Sequence, residues 1–236
     1  MKALLVRVAV DQSDGGGYWN GPVDRATGKF TYVAIPETQH LHPRLNQPYS
    51  AVTAALASLG SSLPSHLASG DMHLDPDFDY LTYGDQGERA KQIRGKLGPG
   101  DLLVFYAGLR SVAHAVGLVY ALIGLYVIED IIPALSVPNA RRHQNAHTRR
   151  VLPATASDIV VRARKGLSGR LTRCIPIGDF RSRAYRVWPH LLASWGGLSV
   201  KNGYLQRSAR LPEFQNAMKF YNWFMAQKPT LVARNN

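Results

Sequence analysis

Cysteine is almost missing from this chain of 236 residues: Cys174 is the only one. A disulfide framework and a cysteine-ligated zinc site are both excluded, and the composition fits a reducing, cytoplasmic setting. Cys174 sits in an apolar run and reads as core rather than nucleophile. Low-complexity tracts and internal repeats are absent. So are the glycine spacings of dinucleotide and P-loop sites, the serine-hydrolase elbow, HExxH, and the SET-like and methyltransferase signatures. No cofactor is therefore expected, and no metal is assigned. The start of the chain is too short an apolar run for a signal peptide.

Acidic side chains are scarce too, but on one side only. Residues 1–136 hold 10 Lys and Arg against 13 Asp and Glu, a net of −3. Residues 137–236 hold 18 against 3, a net of +15. A polyanion is drawn to such a surface and releases counterions on binding, so nucleic acid is the expected partner. Anionic membrane fits less well, because no basic amphipathic helix is present. Residues 111–128 form a stretch of 18 residues without a formal charge, at the lower limit for a membrane helix. Its Val, Ile and Tyr content, with His114 inside it, predicts a loop followed by a buried strand, so no membrane contact is expected.

What is present is the composition of a folded globule, 45% apolar and 19% charged. Alternation and β-branching predict strands at 3–10, 30–35, 101–106, 121–128, 159–163 and 171–177. Apolar spacing predicts helices at 49–59, 85–97, 185–192 and 212–227. The basic tract 133–153 shows no period and is expected to be irregular. The expectation is one α+β domain over 1–236, with a mixed, largely buried central sheet and flanking helices. Its near-neutral part, 1–136, would hold the active-site loops, and its basic part, 137–236, a DNA-binding surface.

Several loops carry side chains suited to chemistry on a base. After the first strand come Asp11, Asp14, Trp19 and Asn20 around three glycines: two carboxylates, an aromatic plate and an amide, what a pocket needs for an extruded base. The alternative is a turn whose Asp and Asn cap backbone amides. His73, Asp75, Asp77 and Asp79 recur at period two, as a hard-metal site would require. Pro76 interrupts a regular strand there, and an Asp-rich turn is the preferred reading. Asp85 stands at a predicted helix start beside Tyr83, either as N-cap or as a carboxylate presented to a pocket. His147 is a potential acid or base next to Arg149 and Arg150. Arg170 and Arg173 belong to a second basic run; Lys201, Gln206, Arg207 and Arg210, with Tyr204, form a third.

The blocks VDQSDGGGYWNGPVD, HLDPDFDYLTYGDQG, GDLLVFYAGLR, NAHTRR, GRLTRCIPIGD and WGGLSVKNGYLQRSAR resemble the third nucleotide-modification-associated domain family of bacteria and phages. That resemblance implies work on hypermodified DNA, in phage defence for example, and marks Asp11, Trp19, Asn20, Asp85, His147, Arg149 and Arg207 without giving each a role. The run GDLLVFY followed by IGLY is similar to PUA-like domains such as EVE and ASCH, which implies a barrel element that takes up a flipped base. The expected function is a DNA glycosylase that hydrolyses the N-glycosidic bond of a modified nucleotide. Asp11, then Asp85 or Asp14, would activate water or stabilise the sugar cation. Trp19, Asn20, Tyr83 or Tyr106 would hold the base, and the basic residues of the second half the phosphates. A non-catalytic reader of modified DNA and a base-modifying transferase are the alternatives.

Overall fold

A computed structural model describes every residue except 13, 114–116 and 206–207. Its strands are β1 (Ala3–Arg7), β2 (Pro22–Val23), β3 (Ile35–Pro36), β4 (Met72–His73), β5 (Thr82–Asp85), β6 (Leu102–Ser111), β7 (Leu118–Pro133), β8 (Ile159–Ala163), β9 (Gly169–Arg181), β10 (Ala184–Val187) and β11 (Leu231–Val232). Its helices are α1 (Thr53–Ala57), α2 (Ser65–Ala68), α3 (Gly87–Lys96), α4 (Ala146–Arg149), α5 (Pro189–Trp195) and α6 (Ala217–Ala226). The architecture is mixed α+β around a large mixed sheet, as expected.

The charge-free run becomes the spine of that sheet. β7 is buried without interruption from Val119 to Ile128, and a strand covered on both faces reads as a continuous apolar run. One flank of β7 pairs antiparallel with β6; on the other, its first half pairs with β9 and its second with β8. β1 runs parallel to β6, and β5 pairs antiparallel with β8. The sheet path thus runs β1-β6-β7-β8-β5. The strands of the basic half share this sheet with those of the near-neutral half.

Side-chain alternation sorts β6 between two cores. Leu103 and Phe105 join Tyr32, Tyr49, Phe78 and Tyr126 on one face. Val104 and Tyr106 join Trp195, Phe220 and Phe224 of α5 and α6 on the other. No helix among the described residues is long and apolar enough to cross a membrane.

Four segments differ from expectation. Over 30–35 only Ile35 enters a strand, because the Tyr32 backbone is instead hydrogen-bonded at N–H and C=O by the Asn236 side chain. Residues 184–187 turn back along β9 as β10 through Ser182 and Arg183, both at positive φ, and α5 starts only at Pro189, a residue suited to a first helical turn. α6 begins after Asn216, whose side chain caps the Lys219 amide. The tract 133–153 is ordered: two 3₁₀ turns lead into α4, and that helix enters the site described next.

Candidate active site

A cavity of about 220 Å³ opens at the carboxyl end of β1. β1 and the turn after it bring Arg7, Ala9 and Asp14; β4 brings His73; β5 brings Tyr83 and Asp85; α3 brings Arg89; α4 brings His147. Phe78 fixes the segment carrying Asp75. Its ring is fully buried and packs edge-on against Tyr32, Phe105 and Tyr126. It also fills the space over Gly124, where a Cβ would lie 2.6 Å from it.

Two histidines form one wall. His73 Nδ1 lies 2.7 Å from Glu37 Oε2, and His147 Nδ1 lies 2.6 Å from Asp158 Oδ1. The rings meet edge to face with centroids 5.0 Å apart. Burial pushes His73 down to about 4, against the pull of Glu37. Burial works to raise Glu37, but hydrogen bonds from His73 and Arg150 bring it down to about 2. A neutral His73 gives Glu37 a hydrogen bond rather than a charge near pH 7; the charge comes from Arg150, whose guanidinium lies 2.9–3.1 Å from the Glu37 carboxylate. Asp158 is lowered too: burial raises it, and the His147 hydrogen bond and charge outweigh that.

Asp75 lies beside these rings, its side chain only 5% exposed. Burial pushes its carboxyl up to about 7, with His147 and the Gly84 amide pulling the other way. The Gly84 N–H donates to both of its oxygens at 2.8 and 3.0 Å. Gly84 is required for another reason: a Cβ there would lie 2.3 Å from the His147 ring.

Asp85 faces the same cavity and is satisfied at both oxygens. Tyr83 OH donates to Oδ2 at 2.5 Å, and the Gln86 amide donates to Oδ1 at 2.9 Å. Arg89 approaches Oδ2 at 2.9 Å through Nε, in ion-pair but not hydrogen-bond geometry, and donates to Tyr83 OH at 2.6 Å through Nη2. Burial raises Tyr83 well above the usual phenol range, so its hydroxyl stays a donor. Asp85 is therefore a presented carboxylate, not a helix N-cap; Gln86 occupies that place.

The other sequence candidates divide. Asp14 lines the cavity with Asp85. Asp11 does not: it is buried behind Arg7, which it holds at 2.8–2.9 Å. The glycine loop is a self-bonded turn, its Asp14, Gly16 and Trp19 amides donating to carbonyls of the same loop. Trp19 is half-buried against the core, Asn20 donates to the Gly108 carbonyl at 2.8 Å, and neither lines the cavity. Tyr106 belongs to the opposite core. Arg149 is buried against Asp77 at 2.5 Å, and Arg170 is buried with its guanidinium on the Arg234 and Leu171 carbonyls. Arg150 lines the cavity, braced by Glu37. Arg173 is exposed. Lys201 and Arg210 join Arg183, Arg186 and Tyr204 in a separate basic groove. Gln206 and Arg207 lie outside the described residues.

Sequence reasoning left out Glu37, Asp158, Arg7 and Arg89. Asp158 did carry a signal, being one of three acids in the last hundred residues. His73 and Asp75 were visible but, without His147 beside them, read as a turn.

Neither a curated protein nor a solved structure matches this chain. The family described as nucleotide modification associated domain 3 matches residues 2–222 of the 236, and the chain belongs to that family.

Proposed function

We propose that this protein is a DNA glycosylase that takes a modified nucleotide into the cavity of Asp14, Asp85 and His147 and hydrolyses its N-glycosidic bond. The observation that carries the reading is the convergence of two carboxylates from separate segments, Asp14 of the turn after β1 and Asp85 of β5, in one cavity flanked by Arg7, Arg89 and Arg150. Family membership ties the chain to nucleotide modification. In the reaction the C1′–N bond breaks, a water oxygen bonds to C1′, and the base leaves with a proton. Asp85, already an acceptor at both oxygens, suits stabilisation of the cationic sugar; Asp14, in the lining of the same cavity, suits orientation of the water. Asp11, first in rank by sequence, becomes the brace of Arg7. The basic groove would hold the phosphates on either side.

Incubation with hypermodified phage DNA, followed by mass spectrometry of released bases, tests this. Wild type is expected to release a modified base, and Asp85→Asn to slow release by roughly 10²–10³-fold, the cost of removing one preorganised electrostatic partner. Tight, salt-sensitive binding with no released base would make the protein a reader of modified DNA instead. Unchanged release by a double variant, Asp14→Asn with Asp85→Asn, would remove these carboxylates from the chemistry.

A further inference from the structure

The glycosylase reading leaves the His73–Asp75–His147 wall without a task. Each imidazole turns Nδ1 away from the cavity onto a carboxylate, Glu37 for His73 and Asp158 for His147. A carboxylate only accepts, so Nδ1 carries the proton, and each ring in its neutral form offers an Nε2 lone pair. Beside the two Nε2 atoms is the Asp75 carboxylate, buried, with no Arg or Lys ion-pair partner among the described residues. Its hydrogen bonds come from neutral groups, the Gly84 amide and, at 3.2 Å, Asn145 Nδ2. One donor atom from each of the three residues lies within 4.8 Å of the other two. We propose that His73, Asp75 and His147 form a binding site for a divalent transition-metal ion, with both imidazoles and the carboxylate as ligands.

A hydrogen-bonded His–Asp pair is the rival, and the distances speak against it. His147 Nε2 stands 3.7 Å from Asp75 Oδ2, beyond hydrogen-bond reach, so neither group satisfies the other. Bonds of about 2.0–2.2 Å to a shared ion would close that gap with a small side-chain adjustment. Metal-bound imidazoles typically hand the second N–H to a carboxylate, which fixes tautomer and ring orientation, and here both rings do so. Arg150 braces Glu37 in turn and leaves Asp75 to the ion. Two imidazoles with one carboxylate favour zinc, iron, cobalt or nickel over calcium or magnesium. Three protein ligands in a cavity leave coordination positions for water or a substrate oxygen, the pattern of a catalytic rather than a structural centre.

The test needs no substrate, so its outcome is separate from that of the glycosylase reading. The untagged full chain, stripped with chelator, is titrated with Co²⁺ while d–d absorption is followed, and metal content is measured after desalting. One equivalent per chain is expected, with a visible spectrum displaced by Zn²⁺. His73→Ala, His147→Ala and Asp75→Asn are each expected to abolish the spectrum, while His190→Ala, an exposed histidine, retains it. Glu37→Gln and Asp158→Asn are expected to weaken affinity by about 10–100-fold, as removal of an outer-shell partner does. Circular dichroism confirms that each variant is folded; where a ligand variant does not fold, the Glu37 and Asp158 variants decide. Substoichiometric uptake by folded wild type, or equal uptake by folded ligand variants, overturns the site.

Discussion

At the scale of single residues, the same side chain serves different ends according to what lies next to it. Arg149 and Arg150 are neighbours in a basic stretch, yet neither projects freely into solvent. Arg149 is 2% exposed and bonds Asp77 and the His143 carbonyl. Burial pushes the Asp77 carboxyl up even with Arg149 opposing it, which shows how expensive a lone charge would be there. Arg149→Ala takes away the cationic partner of that carboxylate and leaves it only the Asn235 and Asp79 hydrogen bonds, and a loss of about 3–5 kcal/mol is expected by denaturant unfolding, the usual range for breaking a buried pair. The salt dependence of DNA binding is expected to stay as in wild type. A variant with native stability and a shallower salt slope would return Arg149 to the phosphate-binding role that its sequence neighbourhood implies.

At the scale of elements, the site depends on how closely α4 rests on β5. The Asn145 side chain caps α4 by accepting the His147 amide and also donates to Thr82 Oγ1 on β5. Gly84 on β5 leaves room for the His147 ring, and Gly84→Ala would set a Cβ 2.3 Å from His147 and 2.7 Å from Asn145. An overpacking cost of about 1–3 kcal/mol is expected in thermal or denaturant unfolding. His147 should also move off the cavity wall, weakening Co²⁺ binding more than tenfold; unchanged stability and affinity would show that α4 is free to shift away. The strands beneath were legible because period-two alternation and the charge-free β7 record burial directly in residue types. The site was legible only in pieces. His73 and Asp75 are close in sequence, but His147 reaches them through a tract with no period at all. Glu37 lies 36 residues from His73 and Asp158 lies 11 from His147, and a hydrogen bond between separate segments leaves no spacing to read. Asp11 and Tyr106 show the converse: residue types apt for chemistry, one buried as a brace and one facing the far core.

At the scale of the whole molecule, the net +15 of residues 137–236 overstates the cations open to a partner. Arg149, Arg150 and Arg162 are paired with Asp77, Glu37 and Asp130, and Arg170 is buried on backbone carbonyls. The groove of Arg183, Arg186, Lys201 and Arg210 is different. Its four cations have no carboxylate partner among the described residues, and Arg186 lies 5.2 Å over the Tyr204 ring. Arg210 also borders a depression shared with Glu88 and Gln92 of α3, the helix whose Arg89 lines the cavity of Asp14 and Asp85. A strand lying in the groove would therefore approach the cavity across α3. For a duplex, each phosphate contact removed lowers the slope of log K against log salt by about 0.9. Replacing Arg183 and Lys201 by Gln is expected to lower it by about two contacts' worth, measured by fluorescence anisotropy across a salt series. Base release at saturating DNA should be preserved, because neither residue lines the cavity. A slope equal to that of wild type would place the phosphate path elsewhere on the basic half, whereas loss of release at saturation would show that the groove shapes the site as well as holding its substrate.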